Sequence, residues 1–168
     1  MRLISEGAGP VASPNPWKRY SVASVVVAAS AAAGSAAVDA DSDWYRGLSK
    51  PVWQPPPWAF GVVWTPMYAS IAFAAGHALG RTRGRERVRT AALFGINLTL
   101  NAGWTWLFFR QRSPRAALVG TLLLDLCNAG LIRQNARTDP VAARALLPYA
   151  AWCVFATVLN GSLSRRNP

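Results

Sequence analysis

Charge is scarce in this chain, and histidine and cysteine are scarcer. Charged residues make up 15% of the 168, with only seven acids, one histidine and two cysteines. One histidine, His77, without cysteine or carboxylate at ligand spacing in the sequence, excludes a recognisable metal cluster. Cys127 and Cys153 both fall in apolar runs, so they read as small buried hydrophobes and not as a disulfide or metal pair. No nucleophile–base pair and no phosphate-binding glycine loop can be found. The first 16 residues have no apolar run of the kind a cleaved leader needs, so a tail over residues 1–20 is expected on the cytoplasmic side.

The chain is instead rich in apolar residues, at 52%. The few charges collect in clusters, and between them lie nearly uncharged stretches of about 20 residues, the thickness of a bilayer's hydrocarbon in helical form. We therefore expect an all-α integral membrane protein with one domain over 21–163. Its five spans fall at about 21–40, 59–79, 90–109, 115–132 and 145–163, ahead of a short tail at 164–168. Pro114 behind Ser113, and Pro140 behind Asp139, mark capped helix starts. Five spans without an inverted repeat or broken helix argue against an alternating-access transporter of small solutes.

A net charge of +11 would fit a nucleic-acid binder, but the arginines sit beside apolar spans, where they set topology and meet anionic lipid. Nucleic acid is not an expected partner. Five spans put Arg2, Lys18, Arg19, the run Arg81, Arg83, Arg85, Arg87, Arg89, and Arg133, Arg137 and Arg144 on one side. The other side holds Arg46, Lys50, Arg110, Arg112, Arg115, Arg165 and Arg166, with three aspartates. Eleven against seven places the N-terminus in the cytoplasm.

Between the first two spans, Trp44 to Trp58 holds Pro51, Pro55, Pro56 and Pro57. Such density predicts an extended, stiff segment without helix. A rigid, tryptophan-dense connector reads as a lid over a pocket mouth, with Trp44 and Trp53 facing a ligand. Within the spans, Trp64 and Tyr68 share one helical face; Asn97, Asn101 and Trp104 share another; Tyr149, Trp152, Ala156 and Asn160 share a third. Asparagine in a bilayer must find partners, so these amides should point inward. For Asn97 and Asn101 a ligand and an interhelical partner are both open; for Asn160 the interhelical partner is preferred. An enclosure of indoles, phenols and amides suits a large flat apolar ligand. No cofactor is required. Gly95, Thr99 and Gly103, and also Gly76 and Gly80, give small residues every fourth position and predict close helix contacts, including a homodimer.

The run Trp44-Tyr45-x-x-Leu48-x-Lys50-Pro51-x-Trp53-x-Pro55-Pro56-x-Trp58-x-Phe60-Gly61-x-Val63-Trp64-Thr65-x-x-Tyr68 resembles the signature of the TspO/MBR family. Asn97 to Asn101 with Trp104, Phe108 and Phe109 agrees with it, as do Pro140 to Arg144, Pro148 to Trp152, and Phe155 to Asn160. The resemblance implies a receptor or sensor for porphyrins and related flat drugs, regulating tetrapyrrole level or transport. It implies ligand contact by Trp64 and Trp152, and room beside the ligand at Ala156 next to Phe155. It also raises a light- and oxygen-dependent porphyrin degradation using Trp64 and Trp152. Gly161 stands where the animal members' sterol motif has tyrosine, which counts against sterol binding. Asp125 is not aligned with the acidic residue relatives carry in their fourth helix. Trp106 replaces a common proline and should let the third helix end straight.

Overall fold

The computed structural model describes residues 15–167, so most of the tail expected at 1–20 lies outside the described residues. Every regular element among them is helical: α1 Pro16–Ser35, α2 Asp43–Gly47, α3 Pro57–Arg81, α4 Gly84–Thr105, α5 Pro114–Thr138, α6 Pro140–Ala145 and α7 Leu147–Arg166. A π-helical turn, Trp106–Arg110, continues α4. The chain is all-α. Three stretches, α3, α5 and Pro140–Arg166, are long and apolar enough to cross a membrane. The other two long helices are more polar: α1 by its serines with Lys18 and Arg19, α4 by Asn97, Asn101 and its leading arginines.

Several boundaries differ from expectation for local reasons. The first helix starts and stops earlier than 21–40, because Asn15 Oδ1 accepts from Trp17 N at 3.1 Å and Pro16 opens the first turn. Residues 44–47, expected to be extended, lie in α2. No proline falls between Trp44 and Pro51, and Ser42 Oγ accepts from Tyr45 N at 3.3 Å. The Lys50 ammonium then closes the turn on the carbonyls of Tyr45 and Arg46. Trp106 does not straighten the end of α4. The turn there bonds Gln111 N to Trp106 O at 3.0 Å, the five-residue spacing of a π-turn. The capped starts at Ser113 and Asp139 are present as read.

The helices pack in a ring: α1 against α3 and α4, α4 against α5, α5 against α7, with α6 under α3 and α5. Glycine decides how α1 approaches α3. The Tyr20 ring lies on Gly76, and the Arg19 guanidinium lies on Gly80. Toward its other end α1 leans onto α4 instead. Ser30 Oγ donates to Leu98 O at 3.0 Å, Thr105 Oγ1 to Gly34 O at 2.9 Å, and Trp106 Nε1 to Ala33 O at 3.0 Å. The two helices thus part company near the 36–56 connection, and the space between them belongs to the site.

At the opposite end His77 Nδ1 bonds to Asp139, which also caps α6 by accepting from Val141 N and Ala142 N. Burial opposes ionisation of this carboxyl. The His77 bond and the two amides prevail and hold it below the usual carboxylate range. A carboxyl depressed on folding stabilises above its unfolded value and loses that contribution as pH falls through the folded value. Asp139→Asn should therefore lower the melting temperature at pH 7, with the gap to the unmodified protein closing as the medium is made acidic. A gap independent of pH would contradict the assignment.

Candidate functional site

The parting of α1 from α3 leaves a cavity of about 460 Å³, closed by α4, the π-turn, α7 and the 36–56 connection. Trp64 and Tyr68 of α3 stack on each other at 5.2 Å between centroids and form one wall. Trp104 and Phe108, stacked at 6.1 Å, form the facing wall. Both Phe108 and Phe109 of the π-turn reach the lining. Leu159 and Asn160 of α7 close the third side, and Tyr45 and Gln54 of the connection close the end. Gln54 Nε2 donates to Tyr45 Oη at 3.1 Å. Burial pushes the Tyr45 phenol up, and the Gln54 bond offsets this in part.

A polar chain runs from the cavity wall into the bundle. Tyr68 Oη donates to Asn101 Oδ1 at 3.1 Å, and Asn101 Nδ2 to Tyr149 Oη at 3.3 Å. Tyr149 Oη donates to Asn97 Oδ1 at 2.9 Å, and Asn97 Nδ2 to Asn128 Oδ1 at 2.6 Å. Four helices are joined through it. Asn97 is fully buried and spent on this chain, while Asn101 both joins the chain and faces the cavity. The two asparagines of one stripe have therefore taken the two different roles.

Four expected ligand residues, Trp64, Tyr68, Asn101 and Trp104, meet at the cavity. Trp152, Phe155, Ala156, Trp44 and Trp53 do not line it. Trp53 meets Phe155 edge-on at 5.9 Å, Phe155 stacks on Trp152 at 4.9 Å, and Trp152 meets Phe60 edge-on at 6.0 Å. Phe60 in turn borders the cavity, so this row backs its wall. Trp44 likewise backs Phe108, edge-on at 5.4 Å. Ala156 serves through its carbonyl, which accepts from Asn160 Nδ2 at 2.8 Å. Asp125 is bound by Thr157 Oγ1 at 2.6 Å, a link between α5 and α7. Sequence reasoning missed Tyr45, Gln54, Phe60 and Gly61 as lining residues. A lone glutamine inside a proline run was the available signal for Gln54.

A sequence model of the TspO/MBR family matches residues 21–166. The chain belongs to the TspO/MBR family. It is 36% identical over 138 residues to the tryptophan-rich protein TspO of Chlorobaculum tepidum, covering 81% of this chain and 87% of that protein. It is 36% identical over 126 residues to the translocator protein of Homo sapiens, covering 74% and 75%. Protein CrtK of Rhodobacter capsulatus is 29% identical over 143 residues, covering 84% and 89%. Membership in the TspO/MBR family, with three helical stretches apolar enough to span, makes this an integral membrane protein.

Proposed function

We propose that the protein is a membrane receptor or sensor that binds a porphyrin, or a similarly flat apolar molecule, in the cavity and regulates tetrapyrrole level or transport. The observation that carries this reading is the pairing of two aromatic walls across one cavity, with the phenol of Tyr45 and the amides of Gln54 and Asn101 among the lining residues. Flat apolar rings stack on such walls, and a few polar groups between them orient the ligand's edge. The Trp44–Trp58 connection, pinned by Lys50 and by Asn167 on Ser49, acts as the lid.

The test is titration of the purified chain with protoporphyrin IX, following tryptophan fluorescence and pigment absorbance in light and in darkness. Saturable quenching at one site is expected; its absence would overturn the proposal. A second reading, light- and oxygen-dependent porphyrin degradation, is favoured by Trp64 standing in the wall itself. It would be recognised by conversion to a new pigment only in the illuminated sample.

All five long helices act as spans in this reading; α4 turns Asn97 and Asn101 into the bundle, and Ser30 of α1 bonds to Leu98 O. The N-terminus lies in the cytoplasm, with the Arg81–Arg89 run beside it. Arg85→Cys should accept an impermeant maleimide in inside-out vesicles and not in right-side-out ones; the opposite pattern would reverse the topology. The chain also pairs with itself through α4, where a Cβ at Gly95 or Gly103 would meet nothing within 4 Å.

A further inference from the structure

We propose that the protein holds an anionic phospholipid at the start of α5, with the headgroup phosphate on Arg112 and Arg115 and an acyl chain along the α5 face below them. A recess of about 540 Å³ lies between the start of α5, the α2 turn and the end of α7. It shares no lining residue with the aromatic cavity. Trp44, Leu48, Arg112, Ser113, Arg115 and Asn167 are among the residues that line it. The ion pairs among the described residues are Arg46–Asp43 and His77–Asp139. Asp43, the one acid on the recess, is thus taken by Arg46, while Arg112 and Arg115 are exposed and have no acidic partner. Two arginines on one recess suit a phosphate, whose oxygens accept their planar rows of N–H donors.

The α5 surface points to a lipid and not to a free anion. Arg115, Val119, Leu122 and Leu126 follow one another at helical spacing on one face. The three apolar members are 57%, 48% and 71% exposed. From Arg115 to Leu126 the helix rises about 16 Å, roughly half the hydrocarbon thickness, which is the depth one acyl chain occupies. A headgroup on the arginines therefore has a track for its tail directly beneath it. Trp44 on the recess belongs to the residue type that settles at headgroup level. The other charges at this end do not compete for the role. The Lys50 ammonium is held by the carbonyls of Tyr45, Arg46 and Leu48, and the Arg110 guanidinium bonds to Ala36 O at 3.2 Å. Arg165 and Arg166 are exposed at the end of α7, and Asp39 and Asp41 ahead of α2, all off the recess lining.

The test is native mass spectrometry of the full-length chain in neutral detergent, titrated with phosphatidylglycerol and, separately, with phosphatidylcholine of the same acyl chains. Phosphatidylglycerol should bind saturably and the more tightly of the two. The double variant Arg112→Gln/Arg115→Gln should weaken phosphatidylglycerol by at least about tenfold and leave phosphatidylcholine unchanged, and Arg115→Gln alone by about fivefold. Arg165→Gln/Arg166→Gln removes the same charge at the same end of the molecule without touching the recess, and should bind as the unmodified chain does. Equal losses in the two double variants would reduce the effect to general charge attraction and overturn the inference. So would equal binding of the two lipids by the unmodified chain. A third arm adds a millimolar excess of inorganic phosphate, which should leave phosphatidylglycerol bound; its displacement would make the recess a site for free anions and overturn the lipid assignment. Circular dichroism of both double variants should match the unmodified chain, because all four arginines are exposed.

Discussion

Gly76→Leu is expected to abolish the folded bundle or to destabilise it by about 3 kcal/mol or more, at the upper end of the usual cost of overpacking. A Cβ at this position would lie 2.9 Å from Tyr20 Cε1 and closer still to Cδ1. Tyr20 cannot swing clear without leaving Phe73, on which it stacks at 6.1 Å. The contact it would break packs α1 directly on α3. Thermal unfolding in detergent, followed by far-ultraviolet circular dichroism, measures the loss. Gly95→Leu is the natural control, because an added side chain there meets only open space. That variant should keep the melting temperature of the detergent-solubilised monomer while reducing crosslinked dimer in lipid. Similar melting temperatures for the two variants would contradict the packing described. Undiminished dimer in Gly95→Leu would contradict pairing through α4.

Trp64→Ala is expected to weaken porphyrin binding by roughly 10- to 100-fold, the range seen when a buried aromatic anchor is removed from a recognition site. The indole is stacked on Tyr68, lies 6.2 Å from the Tyr149 ring, and forms one of the two flat walls. Its removal deletes a stacking surface and leaves room that only water or a repacked side chain could fill. Trp152→Ala should cost far less, because Trp152 reaches the cavity only through Phe60. Family resemblance gives both tryptophans the same role, so the titration separates resemblance from geometry. Equal losses at the two positions would place the ligand against the Trp152 row. Neither variant should lose helicity, which circular dichroism would verify.

The parts of the fold that were legible from sequence are those governed by local composition. Uncharged runs marked the apolar helices, and Ser113 and Asp139 marked helix starts, because a cap is a contact between near neighbours. The facing of Trp64, Tyr68, Asn101 and Trp104 was legible for the same reason, since helical spacing puts each pair on one side. Features set by contacts distant in sequence were not. His77 meets Asp139, 62 positions away, and nothing near either residue signals it. Asn97 and Asn101 look alike on their stripe, and only the arrival of Asn128 and Tyr149 separates the buried one from the lining one. Gly76 and Gly95 sit in equally small-residue runs, yet only the first has a partner within the chain. The π-turn at Trp106–Arg110 was misread as a straight end, because a one-residue change of register depends on α1 capturing Trp106 and Arg110.

The departure of α1 from α3 bears on how the site is supplied. Ser35 at the end of α1 and Val38 just beyond it, and Pro57 and Gly61 on α3, border the cavity and are themselves exposed. An added side chain at Gly61 would meet nothing within 4 Å, so no neighbour closes this flank. In the binding reading proposed above, this open flank gives an apolar molecule dissolved in the surrounding lipid a direct way to Trp64. Occupancy would then track the ligand's mole fraction in the bilayer, and an apparent dissociation constant quoted per volume of buffer would drift with the amount of lipid present.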